Sequence, residues 1–274
     1  MPELPEVEST RRSLLGPLLG RRVTGLALRE SRLRWPVPAG LPETLAGQSV
    51  LGIDRRAKYL LLRFTRGTLL VHLGMSGSLR LLDPAGAGSP LRRHDHLEFR
   101  FDDGTVLRYH DPRRFGSVHW LDSDPSLHPL LRELGPEPLE PGFDGDTLWR
   151  ASRGRRVPVK QLLMDGSVVV GVGNIYASEA LFRAAIDPRR AANRVSRVRY
   201  LRLAEAVRAV LGQAVATGGT TLRDYVDGNG QPGEFALRLN VYGREGEACP
   251  HCATAIRQVR LGQRSTFFCP NCQR

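Results

Sequence analysis

The chain opens Met1-Pro2-Glu3-Leu4-Pro5-Glu6, so loss of the first residue would leave a secondary amine with a carboxylate beside it. An α-amino group titrates near about 8, against about 10.4 for a lysine side chain, so an appreciable fraction is neutral and nucleophilic near neutral pH. Pro2 is therefore a candidate covalent nucleophile and Glu3 a candidate general acid. Many chains begin this way without chemistry, and the terminus alone favours that plainer reading.

A second signal lies at the other end. All four cysteines occur as Cys249-Pro-His-Cys252 and Cys269-Pro-Asn-Cys272, the C-x2-C-x16-C-x2-C spacing of a zinc ribbon. Each two-residue gap lets a tight knuckle aim two thiolates at one tetrahedral metal. Two disulfides are the competing reading, and the absence of a secretion signal argues against them. Four protein ligands leave no open coordination position, so the zinc is expected to be structural, with His251 outside its shell. The hairpin between the knuckles, Ala253 to Phe268, displays Arg257, Arg260 and Arg264, which suits either a phosphate-gripping finger or a solvated surface.

Arginine and lysine total 40 against 28 acidic residues, a net charge of +12, yet lysine occurs only at Lys58 and Lys160. A basic surface gains free energy by displacing counterions from phosphates, which makes nucleic acid the first candidate partner. Arginine is effectively never deprotonated, whereas a desolvated lysine can act as acid, base or nucleophile. In a chain that writes nearly every cation as arginine, the two lysines are candidate functional positions.

The elements that must position these groups follow from periodicity. Residues 3 to 15 show helical spacing, with Gly16-Pro17 expected to end the helix. Short β-type runs recur at 22–28, 50–54, 59–64, 68–73, 97–101, 106–109 and 118–121, a density that predicts a sandwich or barrel. The Pro/Gly stretch from Leu134 to Gly142 reads as a linker, beyond which helices are expected at 146–152, 159–165, 174–184 and 197–216. The last carries an apolar stripe of Val198, Leu201, Ala204, Val207, Val210 and Leu211. A Gly-rich segment from Thr217 to Phe235 follows, either a plain connector or a lid. The acidic, proline-broken opening is no signal peptide, and nowhere do about 18 apolar residues run together, so a cytoplasmic protein is expected.

Taken together, the motifs resemble the formamidopyrimidine-DNA glycosylase family, bacterial enzymes that excise oxidised purines such as 8-oxoguanine. The resemblance is carried by Pro2 to Glu8, Arg55-Arg56-Ala57-Lys58-Tyr59-Leu60, His72-Leu73-Gly74-Met75-Ser76-Gly77-Ser78-Leu79 and His94-Asp95-His96. It continues through Asp111 to Gly116, Gly171 to Glu179 and the zinc ribbon. It implies an α+β fold. An N-terminal β-sandwich with flanking helices (1–132) would precede a helical helix-two-turn-helix domain with a lesion-capping loop (133–234) and a zinc-finger β-hairpin (235–274). DNA would lie across the cleft between domains.

The resemblance also implies roles. Pro2 would attack C1′ of an extruded nucleotide, Glu3 would relay protons at the sugar, and Lys58 would serve excision and lyase chemistry. Arg264 would hold a phosphate during δ-elimination; with a pKa above about 12, a guanidinium is better suited to clamping than to proton donation. Met75, Arg113 and Phe115 would fill the gap left by the extruded base. Read without the family, they are a core methionine, a salt-bridged arginine and a core phenylalanine. His94, Arg155 and Asn174 would contact DNA, though many relatives carry lysine at the position of Arg155. Lys160 aligns with a common lysine but is assigned no catalytic role.

The expected protein is thus a monomeric, nucleoid-associated glycosylase and abasic-site lyase. It would carry one structural Zn2+ and act on double-stranded DNA containing oxidised purines. Two alternatives stand beside it. The related endonuclease VIII branch, acting on oxidised pyrimidines, usually opens Pro-Glu-Gly-Pro, and Leu4 disfavours it. A non-enzymatic zinc-ribbon DNA-binding protein explains the charge and cysteines but not Pro2-Glu3 or Lys58.

Overall fold

The computed structural model describes residues 2–219 and 239–274, which fall in two compact units, the first comprising residues 2–132 and 217–219 and the second residues 133–216 and 239–274. In the first, helix α1 (Leu4–Leu18) precedes strands β1 (Val23–Leu28), β2 (Val50–Arg56), β3 (Tyr59–Phe64) and β4 (Gly67–His72). After these come β5 (Ser78–Leu82), β6 (Asp95–Phe101), β7 (Val106–His110) and β8 (Ser117–Leu121), with a short helix α2 (Leu41–Leu45) between β1 and β2. The strands form two antiparallel four-stranded sheets, ordered β1-β6-β7-β5 and β2-β3-β4-β8.

Alternation decides which face is buried. In β3, Leu60, Leu62 and Phe64 point inward while Tyr59, Leu61 and Arg63 are more exposed. The inward residues of both sheets, with Val7, Leu14 and Leu18 of α1, form one core, the expected sandwich. The helix does not stop at Gly16-Pro17 as the sequence suggests, but continues to Leu18. Gly16 lacks the Cβ that would clash with the proline ring, and the single amide bond that Pro17 forfeits lies in the last turn. Burying Leu14 and Leu18, both fully inaccessible, contributes about 1.5–3 kcal/mol each and holds the last turn down. Strand β5 and helix α2 add to the elements that periodicity predicts. Ser78–Leu82 lies outside the β-type runs given above, and α2 is only five residues long.

The second unit contains α3 (Gly145–Ser152), α4 (Val159–Leu163), α5 (Asn174–Arg183), α6 (Arg197–Ala216) and a hairpin of β9 (Arg257–Leu261) and β10 (Arg264–Phe268). Asp144 caps α3 by accepting from the Thr147 amide at 2.7 Å. The buried residues of α6 are Tyr200, Leu203, Ala204, Ala206, Val207, Val210, Leu211 and Ala214. Val198 and Leu201, assigned to the stripe from sequence, are 58% and 41% exposed. At about 100° per residue each lies roughly opposite a centre of that face, Val198 opposite Tyr200 and Leu201 opposite Leu203. The segment from 220 to 238, which holds most of the expected capping loop, lies outside the described residues. Among the described residues no helix is long and apolar enough to cross a membrane.

Candidate active site and nucleic-acid interface

Pro2 is buried immediately before α1, and Glu3 is the N-cap of that helix. The Glu3 side chain accepts from the Glu6 amide while the Glu3 amide donates to Glu6 Oε2 at 2.7 Å. This reciprocal capping box satisfies amides that the first helical turn leaves open, and it fixes the backbone on which Pro2 sits. Glu3 is only 3% exposed, so its carboxylate is held by the helix start and not swept through solvent.

Lys58 occupies the two-residue turn between β2 and β3, where Arg56 pairs with Tyr59 and Ala57 takes a left-handed φ of 54°. The turn is braced from α1. Glu8 accepts from Arg11 Nη2 at 2.8 Å, Arg12 Nε at 2.9 Å and Arg55 Nε at 3.2 Å, and Arg55 Nη1 donates to the Ala57 carbonyl at 2.9 Å. Burial opposes ionisation of Glu8, but hydrogen bonds from Arg11 and Arg12 outweigh it and hold its carboxyl below the usual range. Glu8 therefore carries a fixed negative charge under the turn.

His72, at the end of β4, pairs across the sheet with Tyr59, and their rings lie 4.8 Å apart. Its Nδ1 accepts the Gly74 amide at 3.0 Å, which assigns the remaining proton to Nε2. Burial, then the positive charges of Lys58 and Arg34, push its pKa down to about 4. A neutral histidine thus lies within the field of Lys58. The sequence assigns no role to His72; its signal is its place at the head of the quoted His72-to-Leu79 motif.

Two loops carry the candidate base-displacing side chains. Gly74 adopts φ 65°, and a Cβ there would collide with the Phe115–Gly116 backbone, so the Met75 loop packs directly on the Arg113–Phe115 loop. Asp111, fully buried, organises the latter by accepting from the Gly116 amide at 2.8 Å and the Arg113 amide at 3.3 Å. Met75 and Phe115 are 43% and 46% exposed, so neither is a core residue, and the Arg113 guanidinium lies 4.7 Å from the Phe115 ring centroid. Large apolar groups held in water beside a cation suit insertion into a base stack better than they suit a free surface. His94 is half-buried, its ring 6.0 Å from that of His110. Buried Asp95 anchors the segment, accepting from Arg80 Nη2 and His110 Nδ1, each at 2.9 Å.

In the second unit, Asn174 begins α5 and its Nδ2 donates to the Ser265 carbonyl at 3.0 Å, tying the helix start to the hairpin. Glu179, 2% exposed, accepts from the amides of Asn240, Val241 and Tyr242 and from Asn240 Nδ2, all between 2.9 and 3.0 Å. A buried carboxylate so satisfied is a structural clamp, and the sequence marks it only as part of a motif. Lys160 is likewise 1% exposed, with Nζ donating to Thr266 Oγ1 at 3.0 Å and to the Ser265 carbonyl at 3.2 Å, so it stitches α4 to β10. Arg155 is exposed and pairs with Asp165 at 2.8 Å, a bridge of the weakly held surface kind. Arg264 is exposed at the start of β10, after a two-residue turn in which Gly262 and Gln263 both have positive φ.

The thiol sulfurs of Cys249, Cys252, Cys269 and Cys272 lie within 4.8 Å of one another, with Cys252 to Cys269 at 3.5 Å and Cys249 to Cys272 at 3.9 Å. Sulfurs about 2.3 Å from a tetrahedral zinc stand just under about 4 Å apart, so the donor set fits one zinc with all four positions filled by protein. Gln273 locks the second knuckle to the segment following α5, accepting from the Cys269 amide and donating to the Ile186 carbonyl, both at 2.8 Å.

Comparison with known proteins gives a consistent result. Family models described as the formamidopyrimidine-DNA glycosylase N-terminal domain, the formamidopyrimidine-DNA glycosylase H2TH domain and a zinc finger found in FPG and IleRS match residues 1–118, 134–226 and 246–274. The chain is 61% identical to formamidopyrimidine-DNA glycosylase of Alkalilimnicola ehrlichii, covering all of both sequences. It is similar to the crystal structure of MutM (Fpg) from Thermus thermophilus, at 38% identity, TM-score 0.89 and coverage of 99% and 98%. It is also similar to Lactococcus lactis Fpg in complex with an abasic-site-containing DNA, at 32% identity, TM-score 0.91 and 99% of each chain.

Proposed function

The chain belongs to the formamidopyrimidine-DNA glycosylase family, and on that premise we propose how its residues excise oxidised purines from duplex DNA and cleave the strand. The observation that carries the substrate class is the full-length match to relatives of this one name, among them Lactococcus lactis Fpg solved with a Fapy-dG-containing DNA.

Once Met1 is removed, the Pro2 nitrogen attacks C1′ of the extruded nucleotide and the bond from C1′ to the base breaks, the base leaving with a proton. The sugar ring opens to a cationic iminium, which acidifies the C2′ proton. Loss of that proton expels the 3′ phosphate, a second elimination expels the 5′ phosphate, and water releases Pro2. Glu3 moves protons at the sugar and Lys58 supports excision. Arg264 and Asn174 hold phosphates, as do His94 and Arg155 farther along. Met75, Arg113 and Phe115 occupy the vacated stack, offsetting a few kcal/mol of lost pairing and stacking. The four cysteines hold one structural zinc, which shapes the hairpin and takes no part in the chemistry. Three consecutive domains, 1–132, 133–234 and 235–274, divide this work in a monomeric, cytoplasmic, nucleoid-associated enzyme.

Borohydride reduction during reaction with lesion-containing duplex tests the nucleophile. A covalent protein–DNA adduct is expected, absent when the Pro2 nitrogen is blocked by a retained residue. An undiminished adduct from blocked protein would remove Pro2 from the mechanism.

A further inference from the structure

The second unit displays arginines that no step above uses. Arg189, Arg190, Arg194 and Arg274 line, with Asp187 and Ala191, a surface depression of about 600 Å³. A neighbouring one of about 340 Å³ is lined by Arg156, Ala191, Asn193 and Arg194, so the two share residues and form one patch. Its floor is rigid. Ala191 bridges to Pro158, the Val159 amide donates to the Arg190 carbonyl at 2.8 Å, and the Ala192 amide donates to the Val157 carbonyl at 2.9 Å. Arg189 is spoken for, paired with Asp187 at 2.6 Å and lying 4.6 Å from the Phe268 ring centroid. Arg199 donates to the backbone carbonyl of Ala185 and to a backbone oxygen of Arg274, so one cation is already engaged there.

Charge is what this scaffold leaves unbalanced. Among the described residues Asp187 offers the one side-chain carboxylate lining either depression, and Arg189 engages it. Arg156, Arg190 and Arg194 are exposed; Arg190 lies within the field of Asp187, which Arg189 already pairs. Like charges gathered on a rigid surface repel unless an anion lies among them, and the planar guanidinium fork matches phosphate oxygens. A lone anion fills one depression; two adjoining depressions with cations spread along them suit a chain of phosphates. The patch also borders a residue placed on DNA above, since the Asn193 amide donates to the Arg155 carbonyl at 3.0 Å.

We propose that Arg156, Arg190 and Arg194 form an auxiliary, sequence-independent site for backbone phosphates of duplex DNA, separate from the residues that read the lesion. This rests on the chain being a duplex-DNA enzyme and not on its excision chemistry.

The test uses the full-length protein and its R190Q/R194Q variant, with R156Q as a second, single-site probe and unchanged melting temperature as the folding check. Binding to a long undamaged duplex is measured across a salt series. Each phosphate contact contributes a slope of about 0.9 in log affinity against log salt, so the double variant is expected to lose about 1.8 and R156Q about 0.9. A charge-matched control at Arg22 and Arg63, which face Asp102 and Asp54, should lose much less. Covalent trapping of a lesion duplex at saturating protein should be unchanged. An unaltered salt slope, or one matched by the control, overturns the site. So does a patch that responds only to inorganic phosphate, seen as phosphate-dependent stabilisation lost in the variant with the duplex slope intact. Failure of the unaltered protein to trap lesion DNA would instead count against the excision reading.

Discussion

Arg55 Nη1 donates a 2.9 Å hydrogen bond to the carbonyl of Ala57, the residue immediately before Lys58. The same guanidinium is held from α1 by Glu8, so the helix capped by Glu3 and the turn that carries Lys58 are braced by one ionic chain. Arg55→Gln is expected to loosen the turn while leaving the sandwich folded. Misplacement of a reacting group by an ångström costs up to about 100-fold, and a fall of about 10- to 100-fold in single-turnover excision is expected. Rate measurements with melting as a control check this; a loss of stability with normal excision would contradict it.

Gly74→Ala probes the contact between the two base-displacing loops. The substitution meets both a positive φ and the Phe115–Gly116 backbone, so a destabilisation of at least about 1–2 kcal/mol is expected. Because the loops must separate, discrimination between lesion and undamaged duplex should fall more than overall affinity. Denaturant melts and paired binding titrations read the two effects separately.

Stability should depend on pH through His72. Its folded pKa of about 4 lies below the ordinary value of 6.5, so between these values the unfolded chain binds the extra proton. The contribution is fully present above pH 6.5, shrinks as pH falls, and is lost by about pH 4. Before solvent screening it falls by about 1.4 kcal/mol for each pH step of one across that window. Urea midpoints at about pH 7 and about pH 5, on either side of the ordinary histidine value, for the native protein and His72→Gln test the sign. The variant should lose less on acidification.

Glu179→Gln replaces one carboxylate oxygen with a donor facing backbone amides that need an acceptor. Leaving buried donors unpaired costs about 1–3 kcal/mol each. The variant is expected to melt lower and to release the segment at 240–242, visible as faster amide exchange there.

Metal removal should unfold the hairpin and abolish DNA affinity without melting the sandwich, because the cysteine ligands all lie in the second unit. Chelation followed by circular dichroism and binding assays reads this. Lesion cleavage by fully metal-free protein would show that the hairpin is dispensable.

Local pattern made much of this molecule readable from sequence. The sulfur positions follow from two knuckles, α6 from its periodicity, and seven of the strands from short β-type runs between turns. Such features depend on neighbours a few residues apart. The sequence could not show that Met75 and Phe115 stand exposed, that Lys160 is a buried stitch, or that Glu179 holds residues 240–242. Nor could it show Arg55 reaching the turn at Lys58 under the hold of Glu8, 47 residues away. Burial and long-range hydrogen bonds are properties of the packed chain, set by which surfaces meet. They decide whether a charged residue in a motif is a reactant, a phosphate contact or a strut.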